Sequence, residues 1–189
     1  MPFEIIHHFD GGAAFSNDWR SPVDSWETTL PWDGINLDLD YTSKFILMMN
    51  RGNFWPIFLL NQLSWPLLRS DIVNSSLEIQ RAIGRGDLQD IPIRTEGEAD
   101  GVEYRLVNTT RLVSCLDIEA SCISRFDDNP NEEISSVNRM VLVGNSLGNS
   151  PPLFRPAEFS VKLLIGDALA DELAEHDDLG CDLIPVKVS

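Results

Sequence analysis

Short apolar runs broken by turn residues dominate this chain, and only two windows carry a helical period. Phe3 to Phe9 and Lys44 to Met49 are compact runs bounded by turn signals and predict strands. Ser70-Asp71-Ile72-Val73 reads as extended and leads into a helix from Ser75 to Ile83. Asn74 or Ser75 offers an N-cap acceptor, and Gly84 and Gly86 offer a left-handed stop. Strands are then predicted at Leu88 to Ile93, Val102 to Asn108, Arg111 to Ile118, Ser121 to Phe126 and Ser136 to Val143, with loops at Asp127 to Glu133 and Gly144 to Pro152. Near the end, Val161 to Ile165 predicts a strand and Gly166-Asp167 an N-cap. Ala168 to His176 predicts a helix with Leu169 and Leu173 on one face. Leu179-Gly180 closes it, and Cys181 to Val188 predicts the last strand.

The two helical windows sit in similar surroundings. Each reads strand, short helix, glycine turn, then a strand carrying Ile91-Pro92-Ile93 or Ile184-Pro185-Val186. Proline cannot donate to a ladder, so both strands are expected at an edge or a bulge. This weak strand–helix–strand repeat around a meander predicts an α+β fold with a mixed, mostly antiparallel sheet and a few short helices. The first third differs. All five tryptophans (Trp19, Trp26, Trp32, Trp55 and Trp65) precede residue 67, and Asn17 to Asp40 shows no period. That stretch is expected to be a long ordered loop with turns at Ser21-Pro22 and Asp33-Gly34. A division follows: a Trp-rich N-terminal segment, 1–66, packed on a main domain, 67–189. The tryptophans suit the edge of a core, and also a binding surface.

Charge narrows the choice of partner. Thirty acidic residues against fourteen basic ones give a formal charge of −16. Such a field repels a phosphate backbone and an anionic membrane and favours a basic partner. The acidic pairs Asp127-Asp128, Glu132-Glu133 and Asp177-Asp178 are the candidate partner-binding residues, and also read as solvated loops. Three cysteines (Cys115, Cys122 and Cys181) without CxxC spacing do not form a disulfide framework and suit a reducing cytoplasm. The N-terminus lacks the basic and apolar regions of a signal peptide, and the most apolar run, Phe54 to Leu60, is far shorter than the ~20 residues a membrane helix needs.

No catalytic constellation emerges. His7-His8 with Asp10 offers metal-ligand types, but neighbours on a strand point to opposite faces and no Cys/His cluster supports them. Cys115 or Cys181 with His176 would make a thiol nucleophile, yet Cys115 lies inside an apolar run where cysteine packs and stays inert. Gly144-Asn145-Ser146-Leu147-Gly148 has the letters G-x-S-x-G and follows a strand. The elbow must open a helix, and Asn149-Ser150-Pro151-Pro152 cannot. Phosphate-binding loops are absent, and no cofactor is expected.

Four segments in order carry a resemblance: Tyr104 to Asn108, Leu112 to Ser121 (LVSCLDIEAS), Pro152 to Arg155 (PLFR), and the ending from Leu163 to Val188. Over roughly residues 67 to 188 the chain resembles a family of bacterial immunity proteins from polymorphic toxin systems, typified by a myxobacterial immunity-protein domain. The resemblance implies a non-enzymatic cytoplasmic protein that binds a cognate toxin and blocks it. It carries no functional residues across and leaves the toxin's class open. Independently, the acidity suits a basic, nuclease-like toxin. The alternatives are a small hydrolase using Ser146, or a structural or regulatory subunit of a larger assembly.

Overall fold

Ser76 separates two helices where the pattern predicts a strand and one helix. Its backbone is extended (φ −66°, ψ 120°), its N–H closes the preceding helix on Ile72 O, and its side chain accepts the Ile79 N–H of the next helix at 3.2 Å. The β-branched pair Ile72-Val73 looks like strand, but both residues are buried in the central core on a helical turn, so packing overrides propensity. The N-cap accordingly falls one or two residues later than expected. Gly86, at φ +77°, ends the second helix in the left-handed conformation.

The computed structural model describes residues 1–7, 15–20 (backbone only), 33–37, 46–50, 54–61, 65–97, 101–126 and 132–189. Its elements in the first half are β1 (Phe3–His7), β2 (Phe15–Arg20), β3 (Ile46–Asn50), β4 (Leu60–Asn61), β5 (Leu67–Arg69), α1 (Ser70–Ser75), α2 (Leu77–Arg85), β6 (Leu88–Pro92) and β7 (Arg94–Gly97). Then follow β8 (Tyr104–Thr109), β9 (Leu112–Val113), β10 (Cys122–Arg125), β11 (Ile134–Arg139), β12 (Val141–Leu142), β13 (Leu153–Pro156), β14 (Leu164–Ile165), α3 (Asp167–Leu173), β15 (Cys181–Pro185) and β16 (Lys187–Val188). Among the described residues seven pairings are antiparallel and four parallel, so the fold is α+β with mostly antiparallel sheets.

The repeat seen in the sequence has a structural counterpart. In the first unit, β5 and β6 flank β8, each antiparallel to it, with α1 and α2 joining the flanking strands. In the second, β14 and β15 flank β1 in the same way, with α3 between them. Both proline strands, β6 and β15, lie at sheet edges, where a missing N–H costs nothing.

Strand periodicity divides the interior into three layers. On the first sheet Leu68, Leu88 and Val107 face a central core, while Leu67, Ile91 and Leu106 face an outer one with Leu47, Met49 and Trp65. On the second sheet Leu153 and Ile165 face the same central core, while Phe154 and Leu164 face a third with Leu142 and Val186. The buried faces of all three helices meet in the central layer. Glu172 of α3 fastens them, accepting from Ser76 Oγ and from Glu78 N (3.3 Å) at the α2 N-terminus.

Several predicted strands are shorter than expected, each for a visible reason. Within Arg111 to Ile118 only Leu112–Val113 forms a ladder, because the Glu158 carboxylate takes the N–H groups of Cys115 (3.3 Å) and Leu116 (3.2 Å). Within Val161 to Ile165 only the last two residues pair, because Arg155 Nη1 donates to the carbonyls of Ser160 (2.9 Å) and Val161 (3.1 Å). The loop expected over Asn17 to Asp40 is corrected at its start: Phe15–Arg20 is a strand paired with β3 and β4. Asp33 to Leu37 is irregular as expected, and is held to the first sheet by side-chain amides, with Gln89 bridging Leu37 N–H and C=O and Asn108 bonding Ile35 O. The Ser21-Pro22 turn lies outside the described residues.

Gly180 packs tightly against the segment from Phe54 to Asn61. Its φ is +79°, and a Cβ there would collide with Pro56 and lie 3.1 Å from Phe58 O. Gly180→Ala is expected to lose about 1 kcal/mol or more from the left-handed backbone alone. Gly148→Ala, with nothing within 4 Å, should be near neutral. Urea denaturation followed by tryptophan fluorescence separates the two.

Candidate functional site

Arg69, the last residue of β5, organises a polar cleft. Its Nε and Nη2 grip Asp71 as a fork (2.8 and 3.1 Å), and its Nη1 donates to Asp178 Oδ2 (2.5 Å) and Trp55 O (2.7 Å). The backbone supports this arrangement from both sides. Ile57 N–H donates to Asp178 O (2.8 Å), Phe58 N–H to Leu179 O (3.0 Å), and Ser70 N–H to Glu103 O (2.9 Å). Beneath, the buried Tyr104 hydroxyl donates to Pro56 O at 2.6 Å. The resulting cleft of about 520 Å³ is lined by Trp55, Arg69, Asp71, Val102, Glu103 and Asp178 among others.

One guanidinium and three carboxylates therefore meet at this opening. The Arg69 hydrogen bonds hold the Asp71 carboxyl below its ordinary range, and the Asp71 and Asp178 carboxylates hold Arg69 above its own. Burial pushes the Tyr104 hydroxyl up. None of these three groups exchanges a proton near neutral pH, so the cleft suits recognition of a cationic group better than acid–base chemistry. The signal for it in the sequence was slight: Arg69 and Asp71 are close in the chain, but Asp178 arrives from another element.

The predicted partner-binding carboxylates fall on different parts of the molecule. Asp127 and Asp128 lie outside the described residues. Glu132 and Glu133 are exposed at the entry to β11, where Glu132 O accepts from Arg125 and Glu133 O from Phe126 N–H. Asp177 is exposed on the turn after α3, while the neighbouring Asp178 is committed to Arg69. Around that turn the sequence is one-sided: residues 167–182 hold seven carboxylates and no lysine or arginine. Asp167 pairs with the N-terminal amine and Glu172 caps α2, leaving Asp171, Glu175 and Asp177 turned to solvent.

Candidate catalytic groups are placed as follows. Ser146 is exposed on a 3-10 turn, Gly144–Ser146, which leads through Ser150 to Pro151 rather than into a helix. Among the described residues, no hydrogen bond joins Ser146 to His176, Asp167 or Asp171. Burial, with Glu158 nearby, pushes the Cys115 thiol up to about 12, and burial beside Asp182 does the same to Cys181. His7 ends β1, and His8 and Asp10 lie outside the described residues. Among the described residues no helix is long and apolar enough to cross a membrane, and no cluster of three metal-ligating side chains occurs. Trp65 is buried in an outer core and Trp55 packs against it, while Trp26 and Trp32 lie outside the described residues. No protein-family model matches this chain, and no curated protein matches it.

Two outcomes are expected. Because the folded Asp71 carboxyl titrates below its ordinary value of 3.8, its contribution to stability is complete above that value and is lost as pH falls through the folded pKa. Asp71→Asn should flatten the acid limb of the stability–pH curve below about pH 4 and leave its shape near pH 7 unchanged. Iodoacetamide at pH 7.5 should alkylate Cys122, the exposed thiol, while Cys115 and Cys181 react only after denaturation, as read by intact-mass spectrometry.

Proposed function

We propose that this protein is a non-enzymatic binding protein that neutralises a cognate bacterial toxin in the cytoplasm by direct contact. The likeness of its last two-thirds to polymorphic-toxin immunity proteins supports the reading. One observation carries it: among the described residues, much of the positive charge is paired with carboxylates of the same chain, while a larger number of carboxylates is left over. Arg69, Arg81, Arg85, Arg94, Arg105, Arg111 and Lys162 all pair with carboxylates of the same chain. Carboxylates outnumber basic side chains by sixteen, and Asp171, Glu175 and Asp177 on α3 and its following turn are exposed among them. A surface of that kind attracts a basic protein from a distance and docks it quickly. Exposed carboxylates that make no internal bond can be desolvated by a partner's arginines without breaking the fold.

The hydrolase alternative has less support, since among the described residues Ser146 has no hydrogen-bonded base and its strand–turn is not followed by a helix. Its test is simple: any esterase activity should survive Ser146→Ala.

The toxin-neutralisation reading is tested by capturing partners of the tagged protein from its own cells and expressing each alone. A partner that arrests growth by itself, and is silenced by co-expression of this protein, supports the reading; capture of housekeeping assemblies without such a partner counts against it. With the partner in hand, the triple variant Asp171→Lys, Glu175→Lys, Asp177→Lys should slow association by about tenfold or more at low salt and flatten its salt dependence. Stopped-flow fluorescence measures both.

A further inference from the structure

Arg155 lies in β13 with 1 % of its surface exposed. Its guanidinium is only half employed. Nη1 donates to Ser160 O and Val161 O, while Nε and Nη2 have no hydrogen-bond partner among the described residues. These two nitrogens lie on the same edge of the guanidinium plane, the pair of parallel N–H groups that a carboxylate takes with both oxygens. Burial lowers Arg155 only to about 10, so it stays protonated at neutral pH.

A cavity of about 250 Å³ lies against it. Its walls come from four stretches: Ile5 and His7 of β1, Phe58 to Asn61, Trp65 to Leu67, and Val161 to Leu163. None of these described lining residues is acidic. The polar side chains close by are engaged elsewhere: the Asn61 amide donates to Leu59 O and Trp65 O and accepts from Trp65 N–H, and Lys162 pairs with Glu4. Thirty carboxylates are present in this chain, and several of its more exposed arginines are bound to them. Among the described arginines Arg155 is the most deeply buried, and its hydrogen bonds go to backbone carbonyls alone. An uncompensated buried charge is strongly unfavourable, and folds keep one where a ligand completes it.

We propose that this cavity binds a small organic carboxylate with an apolar body, its two oxygens on Nε and Nη2 of Arg155 and its hydrocarbon part against Phe58, Leu60 and Leu163. A planar two-oxygen head fits one guanidinium edge, whereas a phosphate would leave oxygens facing aliphatic walls. The volume, just under the usual range for ligand pockets, limits the occupant to a short chain or one ring. The carboxylate comes either from a free acid or from the C-terminal residue of a peptide. The site is separate from the acidic surface and does not rest on the toxin-neutralisation reading.

The test uses the full-length protein, 4-methylpentanoate, and a tripeptide ending in leucine, each beside its neutral amide. Calorimetry should show one site for at least one of the two acids and none for either amide. Binding of the free acid alone identifies a metabolite site, and binding of the peptide alone a chain-terminus site. The 15N resonance of Arg155 Nε should shift on titration in the unaltered protein. Arg155→Lys, which keeps the charge and loses the fork, should weaken binding by about tenfold or more. Leu163→Phe, which fills the cavity and leaves Arg155 in place, should abolish it. The proposal is overturned if neither acid binds, if amide and acid bind alike, if inorganic phosphate competes equally, or if the Nε resonance does not move.

Discussion

Two strands, each held between neighbours that run opposite to it, set everything else. β8 separates β5 from β6, and β1 separates β14 from β15. Because the flanking strands in each trio run parallel, the chain must cross over between them, and short helices make the crossings. The helices are then forced onto the inner faces of their sheets, where the two sets meet in one shared core. Once that layer is closed, the outer faces are available for two further cores, although the outer face of β1 and β15, with Ile6 and Ile184, stays open to solvent.

Local signals in the sequence were read where local physics decides. The helix at 77–85 carries its own cap, periodic Ile79 and Ala82, and a glycine stop, and the edge prolines announced their places before any sheet was known. Side chains reaching across the chain are what the pattern could not show. The Glu158 carboxylate takes the N–H groups of Cys115 and Leu116, which keep only an isolated bridge to Leu142 on their other edge, and the Arg155 guanidinium takes the carbonyls of Ser160 and Val161, so two apolar runs that look like full strands are not. Ile72-Val73 misled because burial, not β-propensity, decides a two-residue run. The Arg69 cleft was half visible, as an Arg-x-Asp step, but its third member is distant in sequence. Arg155 falls inside the short run Pro152 to Arg155, and nothing in the letters distinguishes a buried arginine from an exposed one.

Charge and fold are arranged with some independence. Ion pairs lie mainly between neighbouring residues or neighbouring strands, such as Arg85 with Asp87 and Arg105 with Asp90, and they stabilise little at exposed positions. Each internal pair cancels one positive and one negative charge together and leaves the net excess unchanged, so the −16 is carried by the remaining carboxylates.

The two trios differ in how far their middle strand has travelled along the chain. β8 lies close in sequence to β5 and β6, so the first unit closes through short loops. β1 must find partners made from residues beyond 160, so the second unit pays the entropy of closing nearly the whole chain. A growing polypeptide can thus assemble its middle first, while β1 stays without its sheet neighbours until β14 and then β15 have been synthesised. During that interval its strand edges are open to other chains, and the rate at which the intervening chain emerges sets how long the exposure lasts.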